Sequence, residues 1–437
     1  MHPANSRDTA APVLRVRWVL FAFIFAASFV AYLQRSSLSV VAAGMMPALG
    51  ITQVQMAWLF TAFLAAYTLL QFPGGLIGQH IGPRRTVLAT LLLSTAGTAA
   101  TAFAPVLATG LMLVAVLAGV RGLVGAAQGP LFPSTSGLME AWFPPRRWAL
   151  VLGLEVTGLS LGAAATPPLL ATVMQSFGWQ AALYVTCLPG LVLAAFWWHA
   201  VRDTPREHRA MTAAELAEIE PAPRAAVARR LTWHEILALL ADRNVLLLTL
   251  SYLLMNYVYY FFINWSFLYL VQERQLTLLQ GGWLASLPLL AGSLGGAFGG
   301  QACDLLCHRL GARRGVRVLP LLALPLASVL LLVAVNADSA WAAVAALAGC
   351  FGFVQTTEAP YWAGTFWVAR ERSAAATGLL NTGGNVGGVI GTPIVGYLTA
   401  GQHWTAAFAV GVGCALASAA LWLLIDVDQR PSWRAQG

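Results

Sequence analysis

Repeated apolar runs constrain this chain more than any other feature. Twelve stretches are long enough to cross a bilayer as helices, at 18–42, 54–77, 86–106, 110–136, 148–174, 179–201, 244–270, 280–303, 318–336, 340–366, 374–398 and 404–425. Backbone groups in hydrocarbon must be satisfied within each segment, so these runs predict helices. An outer-membrane barrel would instead show short alternating segments. The predicted fold class is all-α integral membrane, with twelve transmembrane helices.

The positive charges predict the orientation of these helices. The chain contains 25 positive residues and every one is arginine. All but Arg35, Arg121 and Arg274 lie in the termini or in the loops after the second, fourth, sixth, eighth and tenth runs. Arginine-rich loops face the cytoplasm, so both termini are expected there. The net charge of +8 is then a topology signal and not a sign of nucleic-acid binding. The absence of lysine and the short external loops favour a bacterial inner membrane.

The longest loop divides the runs into six and six. The predicted organisation is a cytoplasmic N-terminus (1–17), a first bundle (18–201), a cytoplasmic loop (202–243), a second bundle (244–425) and a cytoplasmic C-terminus (426–437). Within the loop, Thr212 to Glu215 and Thr232 to Glu235 have capping-box spacing, which predicts two short helices. We expect this loop to be a tether without catalytic residues. The five cysteines are expected to be free thiols, and no metal or cofactor is predicted.

The two halves repeat at an offset of 225 residues. GGLIGQHIGPRR (74–85) corresponds to GGQACDLLCHRL (299–310), and GLEVTGLSLG (153–162) corresponds to GLLNTGGNVG (378–387). A parallel repeat of six helices is typical of transporters whose site lies between the halves. The first pair of blocks ends a helix on the cytoplasmic side and predicts residues of conformational gating: Gly75, Arg84, Arg85, Asp304 and Arg309.

Arg35 and Arg121 lie at membrane depth. Ionisable residues there face a bundle interior or a cavity, and a guanidinium group suits carboxylate recognition. The alternative is that each arginine is the counter-ion of a buried carboxylate, Glu155 or Glu358 for Arg35. These two glutamates are also the candidates for proton coupling, because a low dielectric favours the protonated carboxyl group.

The seventh run, rich in aromatic residues, supplies further candidates. Tyr257, Tyr260 and Asn264 fall roughly on one helical face, where hydroxyl and amide groups could orient a ligand. Aromatic stripes are also common in packing and at membrane interfaces. Comparable candidates on other helices are Tyr32, Tyr67, Gln128, Tyr361, Asn381 and Asn385.

Several motifs resemble the major facilitator superfamily. Beside the GGLIGQHIGPRR block, the segments YLQRSSLSV, RGLVGAAQGPLFP, WFPPRRWA and GLLNTGGNVGG are similar to its anion:cation symporter branch. The resemblance implies a monomer that carries organic anions, usually with protons or sodium. It also implies that Arg121 contacts the anion, with Tyr32, Tyr67 and Asn381 in the same cavity. Symporters of this branch commonly have acids where this chain has Gln34 and Gln128.

The function expected from the sequence is secondary transport of small organic anions by alternating access, the substrates being sugar acids, hydroxy acids or aromatic acids. Coupling to protons through Glu358 or Glu155 is one option, and uncoupled facilitation or exchange is another. Efflux of amphipathic compounds and a transporter-like receptor are the remaining alternatives. An enzyme is not expected, because the sequence contains no nucleotide-binding loop.

Overall fold

A computed structural model describes residues 15–219, 239–369, 372–401 and 403–426. Within these ranges the chain is helical, without strands. The helices are α1 (Val16–Leu49), α2 (Gln53–Ile81), α3 (Pro83–Leu107), α4 (Gly110–Gln128), α5 (Leu131–Trp142), α6 (Trp148–Ala200), α7 (Ala213–Ile219), α8 (Arg243–Asn264), α9 (Ser266–Gln272), α10 (Leu278–Leu310), α11 (Ala312–Asn336), α12 (Ala340–Thr356), α13 (Glu358–Ala369), α14 (Ser373–Ala400) and α15 (Trp404–Leu424).

Twelve transmembrane segments follow from these helices. Three pairs, α4–α5, α8–α9 and α12–α13, each form one segment with a break inside it. Helix α6 contains two segments that turn at Gly178, whose φ of 82° lies in the left-handed region that glycine adopts easily. By length and hydropathy nine stretches of the described residues qualify as spans; α6 is counted once, and the glycine-rich α10 and α14 are not among them. The predicted fold class is confirmed.

Glycines bring helices together in the same way in both halves. A Cβ atom at Gly162 of α6 would lie 2.3 Å from the carbonyl oxygen of Phe29 in α1. At Gly387 of α14, the corresponding position of the repeat, it would lie 2.2 Å from the carbonyl oxygen of Leu253 in α8. Both helix pairs are therefore in backbone contact, which only small residues permit.

The two bundles touch on the side of the molecule opposite the chain termini. There Gln53 at the start of α2 donates to Gln272 at the end of α9, over 2.7 Å. The hydroxyl of Ser286 in α10 donates to the carbonyl oxygen of Ala164 in α6, over 2.6 Å. Among the described residues, the two other side-chain hydrogen bonds between the bundles lie nearer the middle of the helices: Arg35 to Tyr260, and Asn385 to Gln71 slightly on the termini side.

On the termini side, the short helix α7 of the long loop is docked against α1. The Glu215 carboxylate accepts hydrogen bonds from the backbone N–H groups of Val16 (3.3 Å) and Arg17 (3.1 Å). It therefore caps the N-terminus of α1, where Arg15 provides no side-chain cap. The side chain of Arg17 is fully buried and forms ion pairs with Glu215 and Glu218.

The loop is therefore more than the tether predicted from the sequence, because its helix α7 packs on α1. The backbone N–H of Glu215 donates to the Thr212 hydroxyl over 3.2 Å, so the first predicted short helix is confirmed. The second, at 232–235, lies outside the described residues. The hydrogen bond from the Arg17 guanidinium holds the pKa of the Glu218 carboxyl below its usual value. The loop thus fastens the beginning of the first helix.

Candidate functional site

Arg35 lies in the middle of the molecule, inside a cage of aromatic rings. Its guanidinium carbon is 5.2 Å from the ring centroid of Tyr32, 5.3 Å from Phe63, 4.8 Å from Tyr67 and 5.9 Å from Tyr260. The side chain is 8% exposed. Cation–π attraction to several ring faces compensates part of the lost hydration.

One bond of Arg35 joins the two bundles. Its Nη2 donates to the Tyr260 hydroxyl over 3.0 Å. These two residues are 225 positions apart, which is the offset of the internal repeat. Equivalent positions of the two halves therefore meet at this bond, which places Arg35 at the centre of the interface between the bundles.

Arg121, on α4, lies beside Arg35 and is 2% exposed. Its guanidinium carbon is 5.0 Å from the centroid of the same Phe63 ring. Its Nη2 donates to the backbone oxygen of Arg35 at 3.5 Å, and its Nε has no hydrogen-bond partner among the described residues. A buried guanidinium for which the described residues supply neither a carboxylate nor an acceptor for Nε can bind the anionic group of a ligand.

No carboxylate of the described residues pairs with either arginine. Glu155 accepts a hydrogen bond from the Ser28 hydroxyl at 3.1 Å. Glu358 accepts from the Tyr252 hydroxyl at 3.1 Å and from the Trp362 indole N–H at 3.2 Å. The alternative in which one of these glutamates is the counter-ion of Arg35 is therefore wrong.

Two glutamines lie near the arginines in the chain, Gln34 directly before Arg35 and Gln128 two turns after Arg121, and both amides are hydrogen-bonded to neutral groups. Gln34 is 1% exposed and donates to the Thr95 hydroxyl over 2.9 Å. Gln128 is 3% exposed and donates to the carbonyl oxygen of Ala31 over 3.3 Å. Neither can neutralise a guanidinium, so the pair of arginines retains its full positive charge.

A series of polar contacts runs from Tyr260 through Asn385 and Gln71 to Tyr67, and we call these four residues the polar ring. The Tyr260 hydroxyl donates to Asn385 Oδ1 over 2.7 Å, and Asn385 Nδ2 donates to Gln71 Oε1 over 3.4 Å. Gln71 Nε2 reaches the Tyr67 hydroxyl at 3.4 Å, and the Tyr67 ring covers Arg35. Gln71 was not predicted from the sequence; its spacing of four residues from Tyr67 on one helix was the available signal.

The arginines line a cavity between the bundles. Its volume is about 10 Å³, and its walls are formed by Arg35, Phe60, Phe63, Leu64, Arg121, Tyr260 and Asn264. That is about the space of one water molecule and far less than the roughly 300–1,000 Å³ of typical ligand pockets, so the arginines are enclosed in this conformation. Asn264 also donates to the Thr392 hydroxyl over 3.2 Å. Tyr32, Tyr67, Tyr260, Asn264 and Asn385 are therefore brought together around the arginines.

Other predicted residues lie elsewhere. Tyr361 is fully buried in the second bundle, where its hydroxyl is 2.8 Å from those of Ser251 and Ser418. Tyr257 and Tyr260 share a face of α8, since their rings lie against Gly391 and Gly388 of α14, but the Tyr257 hydroxyl donates to the carbonyl oxygen of Ala407 and does not join the site. Asn381 is half-buried, one turn before the polar ring on α14.

The predicted gating residues form no hydrogen bond or ion pair across the bundles within the described part of the chain. The backbone N–H of Arg84 donates to the Asp203 carboxylate over 2.7 Å, and its guanidinium donates to the Trp198 carbonyl oxygen. Both partners belong to the first half. Gly75 packs against Pro133, whereas Arg85, Asp304 and Arg309 are exposed. Their gating role stays a prediction.

A family profile described as the Major Facilitator Superfamily matches residues 24–366 and 305–436. The chain belongs to this superfamily. It is therefore a multi-pass membrane protein, and the family and the names of its relatives are those of transporters. In fold, this superfamily member is similar to a bacterial homologue of the human lysosomal transporter Spinster, solved in an inward-facing, occupied conformation. The TM-score is 0.68 at 14% identity, over 94% of this chain and 96% of that one.

Two curated relatives cover most of this superfamily member. A probable galactarate/D-glucarate transporter of Bacillus subtilis is 28% identical over 88% of this chain and 86% of that protein. The hexuronate transporter of the same organism is 28% identical over 86% of both chains. Galactarate and glucarate carry two carboxylates and a hexuronate carries one, so the two names agree on a sugar acid and differ in its charge.

Proposed function

We propose that the protein is a secondary transporter of small organic anions that works by alternating access. The observation that carries this proposal is Arg121, which is buried, has no carboxylate partner among the described residues and keeps an unused Nε donor. It stands beside Arg35 at the junction of the bundles. Two buried guanidinium groups without acids make a site that attracts an anion and rejects a cation.

The fold supports movement of the anion across the membrane. The site lies at the interface between the bundles, and the bonds that join the bundles lie in the middle and on the side opposite the termini. The distribution of arginines supports cytoplasmic termini. On this proposal the structure is closed on the side of the membrane opposite the cytoplasm. The protein works as a monomer in a bacterial inner membrane.

Glu358 is our candidate for proton coupling. It accepts its hydrogen bonds from Tyr252 on α8 and Trp362 on its own helix. Tyr252, Asn256 and Tyr260 are spaced four residues apart on α8 and so share one face. This face leads from Glu358 to the polar ring. Glu155 is the second candidate: it is bonded to Ser28, seven residues before Arg35 on the same face of α1, which connects it to Arg35 but not to the polar ring.

The contacts of the aromatic residues favour anion transport over efflux of amphipathic compounds. An apolar drug site would leave the rings free to stack on a ligand. Here Tyr32, Phe63, Tyr67 and Tyr260 surround the Arg35 guanidinium. The rings therefore stabilise a charge.

The first experiment measures thermal stabilisation of the purified protein by sugar acids, hydroxy acids, aromatic acids and their uncharged analogues. A ligand that binds only the folded state raises the melting temperature. We expect one class of carboxylate to stabilise the wild type and Arg85→Gln, in which an exposed arginine is removed. Arg121→Gln should lose the response, because a charge-assisted bond is lost.

The same panel contains the result that would contradict the proposal. If no anion stabilises the wild type, or if Arg121→Gln responds as strongly as Arg85→Gln, then Arg121 has a structural role and anion transport is wrong. Uptake of the stabilising compound into proteoliposomes completes the test, since a receptor would bind the anion without moving it.

A further inference from the structure

We infer that the central site is selective for a divalent anion, with one anionic group on Arg121 and the other on Arg35. This rests on the proposed function and narrows its substrate class to short dicarboxylates and to carboxylates with a second acidic group, such as a sulfonate. The relatives do not decide the question, because their names include substrates of both charges.

The charge of the site is the first argument. The residues that line the cavity are two arginines, an amide and apolar or aromatic side chains. The two glutamates at membrane depth, Glu155 and Glu358, are bonded to other partners. The site therefore has a fixed charge of two positive units. A monovalent anion would neutralise half of it and leave the other guanidinium with only the partial compensation that the aromatic rings give, which is unfavourable in a buried site.

The distance between the arginines is the second argument. Both guanidinium carbons lie over the same Phe63 ring, at 5.3 and 5.0 Å from its centroid, so they are no more than about 10 Å apart. Two acidic groups on one short carbon chain can each reach one of them. Arg121 offers its free Nε, and Arg35 offers the Nη2 that now donates to the neutral Tyr260 hydroxyl. A carboxylate is a stronger acceptor than this hydroxyl and would displace it.

The neutral side chain of Gln128 leaves the charge of the site at two positive units. It lies seven residues, about two turns, after Arg121 on the face of α4 that meets α1. Its amide donates to Ala31, one turn before Arg35. A glutamate at this position would remove one unit of positive charge from the site without touching either arginine. The neutral amide therefore determines specificity for a second negative charge.

The test uses anions that share a carbon skeleton. D-Glucarate and D-gluconate form one pair, galactarate and galactonate a second, and succinate and butyrate a third, and binding is measured by calorimetry at neutral pH. We expect the wild type to bind the divalent member of at least one pair on the order of 10- to 100-fold more tightly, the range expected for one charge-assisted bond.

Two variants then remove one positive charge by different routes. Gln128→Glu adds a carboxylate, and Arg35→Gln removes a guanidinium and does not depend on the protonation of an introduced acid. Both should lower the ratio of divalent to monovalent affinity at least about tenfold. Gln175→Glu, the same change at an exposed position, should leave the ratio unchanged.

The outcomes separate the two proposals. If the wild type binds the monovalent and divalent members equally, the divalent selectivity is wrong while anion transport stands. If no member of any pair binds, the anion site itself is wrong. If the wild type prefers divalent anions and the ratio survives in both variants, the preference comes from another part of the site and our charge argument is wrong. If one of the two variants does not fold, the affinity ratio of the other variant decides between these outcomes.

Discussion

At the scale of single residues, the site depends on which side chains are ionised and which are only polar. Gln34 and Gln128 donate to neutral oxygens of the protein, and they cannot release or take up a proton. Any proton that moves with the substrate must therefore use another group. Glu358 is half-buried between Tyr252 and Trp362 and is the acid that a shared helix face connects to the polar ring.

We predict that Glu358→Gln abolishes accumulation of substrate driven by a pH gradient and keeps counterflow exchange. The amide preserves the size of the side chain but cannot carry a proton, whereas exchange requires only binding and reorientation. The measurement is uptake into proteoliposomes with an imposed pH gradient, beside exchange of labelled for unlabelled substrate at equal pH.

Glu140→Gln is the matched control, since Glu140 is exposed, and it should accumulate substrate like the wild type. Gradient-driven accumulation by Glu358→Gln would exclude Glu358 as the proton carrier. A wild type that does not accumulate substrate under an imposed pH gradient would show that transport is not coupled to protons.

The residues of the site were predictable where they carry charge. An arginine in an apolar run is conspicuous, so Arg35 and Arg121 were found from the sequence. Tyr260 and Tyr361 look alike in the sequence, yet one hydroxyl bonds to Arg35 and the other to two serines in the interior of a bundle. The rotation of each helix decides this difference, and that rotation is set by packing between segments far apart in the chain.

At the scale of helices, glycine determines how closely segments approach. Gly387 of α14 contacts the backbone of α8, and Gly378 on the same helix has no atom within 4 Å of its would-be Cβ. Two glycines of one helix therefore offer a clean comparison between close packing and open space.

We predict that Gly387→Ala destabilises the protein by about 1–3 kcal/mol, because the added methyl group meets a backbone oxygen that cannot move aside. Gly378→Ala should be neutral or stabilise the helix by up to about 1 kcal/mol, the difference in helix propensity. Thermal unfolding in detergent measures both. Equal melting temperatures for the two variants would mean that α8 and α14 are not in backbone contact.

At the scale of the whole molecule, one contact between the bundles lies far from the central site. Gln53 and Gln272 meet across the interface at the end opposite the termini. Alternating access requires this contact to separate when the site opens to that side. A covalent link between these positions should therefore hold the protein in one conformation.

We predict that cysteines at positions 53 and 272, in a background without the five native cysteines, are cross-linked by a reducible bifunctional thiol reagent and that the cross-link stops transport. The two glutamines meet at the ends of their long side chains, so a reagent with a spacer is used instead of a direct disulfide. Reduction should restore uptake, and each single cysteine variant should be insensitive to the reagent. Full transport by the cross-linked protein would show that the bundles do not separate at this contact.

The two-half organisation could be predicted from the sequence because a repeat leaves a constant offset. The contact between Arg35 and Tyr260 follows that offset. The docking of α7 on α1 leaves no such trace, because it joins a loop to a helix end and has no counterpart in the second half among the described residues. Long-range contacts outside the repeat were therefore invisible to pattern analysis.

The cap that Glu215 provides for α1 also imposes an order on biosynthesis. The capping carboxylate stands 198 residues after the backbone group that it binds. At roughly 5–20 residues per second, a ribosome takes on the order of 10–40 seconds to produce it. Meanwhile α1 has emerged from the ribosome, and the backbone N–H groups of its first turn do not yet have the carboxylate that caps them. Completion of the first helix therefore waits for the whole first bundle to be translated.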